Sequence, residues 1–332
     1  MSPRTPDSLR ARPFGRGSVS LGLHPDSGLS AHDQVEGLLA QAAEAESVGF
    51  DGVTVSEHHN GFPGYLPDPL LMSSWILGAT QRVWSGPAPT LLGLRNPLLL
   101  AEQLAWTAAR FPLRFGAVVA PGYVRSDFEH IDVPFDDRLS RFQANVDTMV
   151  GALGLSGEAT VSADAALAGW RNSAAPLLVA ANSRSGVRRA AARGLGVMFP
   201  GGEGGGRLGL LAEHYRESGG CGPVVWTRSV WLGRPRADAL RQLDSQYRSA
   251  ATSAMRQRTG FAANLLHGDP QRVLASLLDE LDTVRPDAIN LRLYLPGLSQ
   301  AEQCDMIDRT GHEVVAGLRE HWPGGSSQIG EI

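Results

Sequence analysis

The chain has 332 residues, of which 42% are apolar and 19% are charged, and its formal net charge is -4. This length and composition allow a sizeable buried core in one large domain or two ordinary ones, and they exclude a disordered chain. The negative charge argues against a nucleic-acid surface, and no 18-residue apolar run is present to span a membrane. The expected partner is therefore a small molecule.

The cysteine and lysine content excludes several classes of bond and of cofactor site. Cys221 and Cys304 are the only cysteines, which is no disulfide framework, and residues 1–17 lack the apolar centre of a secretion signal, so we expect a cytoplasmic location. All 30 basic side chains are arginine. Schiff-base chemistry, pyridoxal phosphate attachment and the Walker-type phosphate loop each need a lysine and are excluded. A phosphate must be held by arginine, hydroxyls, backbone amides or a helix N-terminus.

Short apolar runs alternate with helical patterns along nearly the whole chain. The predicted strands are 19–23, 52–56, 83–88, 115–120, 177–181, 196–199, 224–232 and 288–294. The helix after the first strand follows a Ser30 cap, and Asn96 and Pro97 begin another helix. Eight strands in strict βα alternation predict an α/β fold of the (β/α)8 TIM-barrel type. A doubly wound open sheet would give the same local pattern, but no dinucleotide fingerprint follows the first strand, which favours the barrel.

The barrel is predicted over residues 18–322, between a disordered tail at 1–17 and a flexible tail at 323–332. Residues 156–175 form a polar, alanine-rich excursion. The glycine-rich stretch 200–206 follows the sixth strand and is either a plain flexible connection or a lid over a ligand. Residues 235–258 have helical spacing and extend the seventh βα unit.

The second predicted strand ends in Glu57, His58 and His59. Residues at the carboxyl ends of barrel strands line the active-site mouth. Because neighbouring strand residues point to opposite faces, Glu57 and His59 should face one way and His58 the other, which argues against a chelating histidine pair. No HExxH or similar spacing is present, so no metal is expected. We predict Glu57 and His58 as catalytic residues; the alternative for His58 is a hydrogen-bonded core imidazole.

A second candidate constellation follows the fifth predicted strand. It contains Asn182, Ser183, Arg184, Ser185 and Gly186, which open a helix and bring hydroxyls and free backbone amides together. This arrangement suits a phosphate dianion, although an ordinary helix cap with solvated arginines would look the same. A phosphate site here and an imidazole on the second strand suit a phosphorylated cofactor across the barrel mouth.

Five segments together resemble the bacterial luciferase-like, flavin-dependent monooxygenases. They are GFDGVTVSEHH at 49–59, NPLLLAEQLA at 96–105, RFGAVVAPGYVRSDF at 114–128, PLLVAANSRSGVRRAA at 176–191 and HGDPQRVLASLLDEL at 267–281. The resemblance runs in order from about residue 18 to about residue 320.

The resemblance implies a TIM barrel that binds reduced FMN from a separate flavin reductase, and a homodimer. In this family reduced flavin and O2 form a C4a-hydroperoxide that oxygenates a small organic substrate. His58 matches the histidine credited with catalysis near the flavin, and Ser183 and Gly186 fall where the family binds the flavin phosphate. Ala120 and Arg125, at and after the end of the fourth predicted strand, are expected beside the cofactor.

The chain also departs from the family pattern. Pro121 stands where luciferase-type members have a phosphate-binding arginine, so Arg125 or Arg184 would replace it. Asn145 stands where a glutamate is common. Two alternatives stay open: an oxidoreductase of the same wider superfamily that uses coenzyme F420 for hydride transfer, and a non-catalytic flavin-binding paralogue, which the changes at Pro121 and Asn145 would suit.

Overall fold

The computed structural model describes residues 11–155, 163–199, 201, 205–250 and 264–322. Its strands form one parallel sheet in the order β3-β2-β1-β10-β8-β7-β6-β5-β4, with β9 beside β8. The strands are β1 (Ser18–Gly22), β2 (Gly52–Val55), β3 (Trp84–Pro87), β4 (Thr90–Leu91), β5 (Ala117–Ala120), β6 (Leu177–Ala180), β7 (Gly196–Phe199), β8 (Val224–Leu232), β9 (Leu266–Gly268) and β10 (Ala288–Arg292). A parallel bridge between Ser85 and Phe115 joins the two edges. The predicted TIM-barrel architecture is confirmed.

Helices connect consecutive strands on the outside of this barrel. They are α1 (Ala31–Ser47), α2 (Pro69–Ala79), α3 (Pro97–Arg110), α4 (Arg125–His130), α5 (Arg138–Ala152), α6 (Ala165–Gly169), α7 (Arg184–Ala191), α8 (Gly205–Glu217), α9 (Ala237–Ala250), α10 (Pro270–Val284), α11 (Gln300–Thr310) and α12 (Ala316–His321). Ser30 caps α1 and Asn96 caps α3, with Pro97 in its first turn, as predicted. No helix in the described part of the chain is both long enough and apolar enough to span a bilayer.

The inside of the barrel is apolar near its floor and polar above it. Phe14 is fully buried, and its ring centroid lies 4.5 Å from that of Trp84 on β3. One layer higher, the Asn290 amide donates to the Ser20 hydroxyl at 2.9 Å and to the Thr54 hydroxyl at 3.0 Å. Every second residue of these strands therefore faces inward, and the same alternation carries polar side chains up to the mouth.

The structure differs from the predicted N-terminal tail at the bottom of the barrel. Residues 11–17, assigned to a tail on sequence, instead close the bottom of the barrel, because the Phe14 side chain is buried against Trp84. The rest of both predicted tails, 1–10 and 323–332, lies outside the described residues.

The looser segments are described only in part. Within the predicted excursion at 156–175, residues 156–162 lie outside the described residues, whereas Trp170 is buried. Of the glycine-rich stretch, residues 200 and 202–204 are outside the description, and Gly205 begins α8. Helix α9 accounts for the predicted helical stretch as far as Ala250, and the remainder, 251–258, is not described.

Candidate active site

Glu57 follows β2 and is fully buried beneath the barrel mouth. Its carboxylate accepts hydrogen bonds from the Thr90 hydroxyl, from the Leu91 amide at 2.9 Å and from Nε of Arg95 at 3.3 Å. Burial alone would raise the pKa of this carboxyl, but the hydrogen bond with His59, the Arg95 charge and the other donors together lower it. Glu57 is therefore ionised, and both of its carboxylate oxygens accept hydrogen bonds. This geometry favours a positioning role over the catalytic role predicted for it.

His58 points to the other side of the strand. Its Nδ1 lies 2.7 Å from Oδ2 of Asp127, a carboxylate with no exposed surface, and the imidazole itself is 5% exposed. The other Asp127 oxygen accepts the backbone amide of His59 at 2.9 Å. The carboxylate holds a proton on Nδ1 of His58, so the neutral ring has its free lone pair on Nε2. No described residue hydrogen-bonds that nitrogen.

The predicted alternation of the EHH residues agrees with these contacts. Nε2 of His59 lies 2.9 Å from Oε1 of Glu57, so the two share one side of the strand. His58 faces the aromatic side of the mouth, where its ring stacks on Phe62 at 4.4 Å between centroids. Each of the two histidines thus has its own carboxylate partner, Asp127 for His58 and Glu57 for His59. Among the described residues, no group of three or more His, Cys, Asp or Glu side chains is placed to hold a metal ion.

Aromatic rings and one arginine form the rest of the mouth. Tyr65 and Tyr123 meet the His58 ring edge-on, with centroids at 4.6 Å and 5.5 Å. The Tyr65 hydroxyl forms a short hydrogen bond with the Tyr247 hydroxyl on α9. Arg292, the last residue of β10, lies among these phenols, whose charges when ionised would raise its pKa against the opposing effect of burial. The site therefore combines flat aromatic walls with one guanidinium.

His24 lies beyond β1 on the same side of the barrel. Its Nδ1 is 2.8 Å from the Gly64 carbonyl oxygen, and its ring stacks on Tyr294 at 4.5 Å. Burial, together with the nearby Arg292 charge, lowers its pKa from 6.5 to about 3. His24 is therefore neutral at working pH, with Nδ1 donating to Gly64.

The predicted phosphate segment opens α7, directly after β6. The Ser183 hydroxyl caps the helix by accepting the Gly186 amide at 3.2 Å, and it lies 3.3 Å from the Ser185 hydroxyl. The first turn contains no acidic residue. Asn182 accepts a hydrogen bond from Arg207 of α8 through its carbonyl oxygen at 2.9 Å, and Arg184 is exposed. The structure brings these residues together at one helix N-terminus, where anions bind favourably.

The two other predicted cofactor residues lie around β5. Ala120 ends that strand and is buried. Arg125 begins α4 and is 55% exposed, forming an ion pair with Asp136 at 3.0 Å while its guanidinium covers the Phe135 ring at 4.4 Å. Contact between Arg125 and a cofactor phosphate stays a prediction.

Three features of the mouth were missed on sequence. Asp127 lies 69 residues from its partner His58, Tyr247 lies 182 residues from Tyr65, and Arg207 lies 25 residues from Asn182. Asn145, noted only as a departure, donates to the Leu92 carbonyl at 2.9 Å and the Arg95 carbonyl at 3.3 Å. It therefore fixes the turn that delivers Arg95 to Glu57. Asp127 lies within a quoted segment and Asn145 was named as a departure, but no local sequence pattern identifies the partners of either residue.

The fold and the site together define a parallel α/β barrel with a polar, aromatic-walled site at the carboxyl ends of its strands. The chain belongs to the luciferase-like monooxygenase family, whose model matches residues 16–304. Members of this family are oxidoreductases.

Solved structures of similar fold cover nearly the whole chain. Monooxygenase RslO1 from Streptomyces bottropensis has a TM-score of 0.74 at 20% identity, covering 90% of this chain and 99% of its own. The oxygenating constituent of 3,6-diketocamphane monooxygenase from Pseudomonas putida, a type II Baeyer–Villiger enzyme in complex with FMN, has a TM-score of 0.66 at 16% identity, with 90% and 98% coverage. An F420-dependent secondary alcohol dehydrogenase has a TM-score of 0.68 at 17% identity, with 91% and 99% coverage. At these identities the likeness establishes the fold alone.

Proposed function

We propose that the chain is a flavin-dependent monooxygenase that takes reduced FMN from a separate reductase and uses O2 to oxygenate a small organic substrate. The observation that carries the proposal is the buried pair of His58 and Asp127, with Nδ1 2.7 Å from the carboxylate and the ring in the aromatic mouth. Within a family of monooxygenases, such an imidazole is a proton-transfer group beside the reacting atoms.

The donor set fits FMN at both ends of the molecule. The hydroxyls of Ser183 and Ser185 and the first-turn amides of α7, a turn that contains no acidic residue, suit the phosphate. Flat rings at the mouth, those of Phe62, Tyr65 and Tyr123, suit a planar heterocycle. Bound reduced FMN would supply the electrons that activate O2.

The protein residues have separate tasks in this scheme. His58 accepts a proton at Nε2 or releases one there, and Asp127 stabilises the imidazolium while it holds the ring. The aromatic rings around His58 keep water away from that nitrogen. Glu57 orders the turn through Thr90, Leu91 and Arg95 without touching the reacting atoms.

Flavin titration tests this function. The protein is titrated anaerobically with reduced FMN and, separately, with reduced F420, and each complex is then mixed with O2 in a stopped-flow instrument. We expect reduced FMN to bind and its oxidation by O2 to follow a time course different from that of free reduced FMN. We expect His58→Gln to change that time course and Asp147→Asn, in a surface ion pair with Arg193, to leave it as in wild type.

Two results would contradict the proposal. Tight binding of reduced F420 with no effect on reduced FMN oxidation would assign the chain to hydride transfer, as in the F420-dependent dehydrogenase. Binding of reduced FMN with identical oxidation by wild type and His58→Gln would instead indicate a non-catalytic flavin-binding paralogue.

We also propose that the chain forms a homodimer. Leu98, Leu99 and Trp106 of α3 are between 52% and 58% exposed, and apolar side chains clustered on one helix favour a protein contact. Light scattering on the purified protein tests this: a dimeric mass is expected, and a monomeric mass across the accessible concentration range would refute it.

A further inference from the structure

Arg292 occupies an inward-facing position at the top of the barrel. It pairs in register with Gly22 of β1 and Ser229 of β8, and it lies two residues after Asn290, whose amide is hydrogen-bonded inside the barrel. Because side chains alternate along a strand, Arg292 and Ser229 share the inner face with Asn290. Both therefore lie at the barrel mouth, where the aromatic rings around His58 also lie.

These two neighbours have unfilled hydrogen-bonding capacity. Nε of Arg292 and the Ser229 hydroxyl are both buried, and neither has a hydrogen-bond partner in the described part of the chain. A buried polar group without a partner is destabilising, and more so when the group is charged. Two adjacent groups of this kind, at the mouth of a barrel, indicate a place for a ligand.

The arginine charge is also uncompensated by its described neighbours. Arg228, one residue before Ser229 and equally buried in the sheet, forms a two-point ion pair with Glu280 at 2.9 Å. Arg292 forms no ion pair with any described carboxylate. Its neighbours Tyr123 and Tyr247 have a pKa raised by burial and by nearby phenols, so they stay neutral, and His24 is neutral above pH of about 3.

We propose that Arg292 and Ser229, with the Tyr247 hydroxyl beside them, form a carboxylate subsite for an aromatic acid substrate. The Nε edge of the guanidinium and the serine hydroxyl donate to the two carboxylate oxygens. The aromatic part of the substrate lies beside Tyr65 and Tyr123 on the side of these rings that faces Arg292, next to the flavin and within the mouth that His58 faces. This assignment rests on the proposed function for its chemistry but is tested by binding alone.

The test uses flavin-free protein and three probes of matched shape: benzoate, benzamide and benzyl alcohol. Isothermal titration calorimetry should show benzoate binding at least about tenfold more tightly than either neutral probe, the ratio expected for a charge-assisted hydrogen bond. Arg292→Met should reduce the affinity for benzoate by about tenfold or more and leave the affinities for the two neutral probes unchanged. Arg241→Met removes an exposed arginine from α9 and is the matched control, expected to bind benzoate as wild type does.

Ser229→Ala and Arg292→Lys guard against misfolding of the first variant. Ser229→Ala should reduce the affinity for benzoate by about threefold to tenfold. The benzoate affinity of Arg292→Lys should lie between those of wild type and Arg292→Met. Equal binding of benzoate and benzamide by wild type, or unchanged benzoate binding in both Arg292→Met and Ser229→Ala, would overturn the subsite.

A second arm separates the substrate from the flavin as the anion that Arg292 binds. Reduced FMN is titrated anaerobically into wild type and Arg292→Met. Unchanged affinity supports the substrate assignment, whereas a loss of reduced FMN binding matching the loss for benzoate assigns Arg292 to the flavin and overturns it. Because benzoate binding needs no flavin, its success does not depend on the monooxygenase activity, and failure of the activity leaves the binding result intact.

Discussion

The carboxylate of Asp127 binds two consecutive residues of the strand-end motif, the His58 ring at 2.7 Å and the His59 amide at 2.9 Å. Each carboxylate oxygen serves one of them, so ring orientation and backbone conformation are fixed together. A group 69 residues away thus determines which nitrogen of His58 faces the mouth. The orienting carboxylate behind an imidazole is the arrangement that catalytic dyads use to hold a tautomer.

Asp127→Asn should abolish most of the activity without loss of flavin binding. The amide nitrogen of asparagine would donate to Nδ1 of His58 and move the ring proton to Nε2, so the lone pair no longer faces the mouth. We expect substrate-dependent O2 consumption to fall by about 10²-fold or more, as for a lost general acid or base. Oxygen-electrode assays with saturating reduced FMN measure the rate.

The control for this variant is Asp147→Asn, which alters a carboxylate that pairs with Arg193 on the surface. It should keep the wild-type rate within about twofold, because exposed ion pairs contribute little. If Asp127→Asn weakens reduced FMN binding as much as turnover, Asp127 positions the cofactor and the dyad interpretation fails.

Glu57→Gln should destabilise the fold. Four donors converge on this buried carboxylate, and neutralising it leaves Arg95 with only its longer ion pair to Asp68 at 3.9 Å, so we expect a loss of about 2–4 kcal/mol in the free energy of unfolding. Urea denaturation measures it, with exposed Glu102→Gln expected to change stability by less than about 0.5 kcal/mol.

The pH dependence of this effect follows from the lowered pKa of Glu57. A carboxyl whose pKa is lower in the folded state stabilises the fold above its ordinary value of 4.5 and loses that contribution as pH falls through the lowered value. The difference in free energy of unfolding between wild type and Glu57→Gln should therefore be largest near neutral pH and become smaller on acidification. A difference that increases in acid would mean that the carboxyl is protonated in the folded protein.

The sequence predicted the barrel well because its evidence is local. Periodicity, the caps at Ser30 and Asn96 and strand-helix alternation each lie within one element, and so does the opposite facing of His58 and His59. The site was predicted only at its strand ends. Asp127 approaches His58 through closure of the barrel, and no local pattern encodes that distance. Phe14 was assigned to a tail for the same reason, since its contact with Trp84 is a tertiary one.

Ser183→Ala should reduce affinity for FMN more than affinity for riboflavin. The Ser183 hydroxyl caps α7 and is available to a phosphate at the helix start, whereas riboflavin has no phosphate to contact it. We expect about a tenfold loss for reduced FMN and at most about a twofold loss for reduced riboflavin. Anaerobic fluorescence titration with both flavins measures the ratio, and equal losses would show that α7 does not bind the phosphate. Thr107→Ala, on an exposed face of α3, is the control.

Gly86→Ala should prevent barrel closure. An alanine Cβ at this position would lie 1.6 Å from the Gly116 carbonyl oxygen, where the two edges of the sheet meet, and backbone cannot move aside cheaply. We expect the variant to be insoluble or to unfold several kcal/mol more easily, judged by soluble yield and thermal melting. Gly78→Ala, on α2 with open space around it, should instead gain about 0.5–1 kcal/mol through helix propensity. Wild-type stability of Gly86→Ala would show that the two edges are not in contact.

His24→Asn should make the protein less sensitive to acid. The folded pKa of His24 is about 3 and the unfolded value is 6.5, so the unfolded chain binds the proton first and stability falls as pH drops below 6.5. Between about pH 7 and about pH 5 the titration of His24 should lower the free energy of unfolding of wild type by on the order of 2 kcal/mol. Asparagine keeps a donor for the Gly64 carbonyl but does not titrate, so the stability of the variant should fall by that much less over the same pH interval. Urea denaturation at both pH values measures the difference, with exposed His32→Asn as the control expected to follow wild type. Parallel losses in wild type and His24→Asn would mean that His24 is not held neutral in the folded protein.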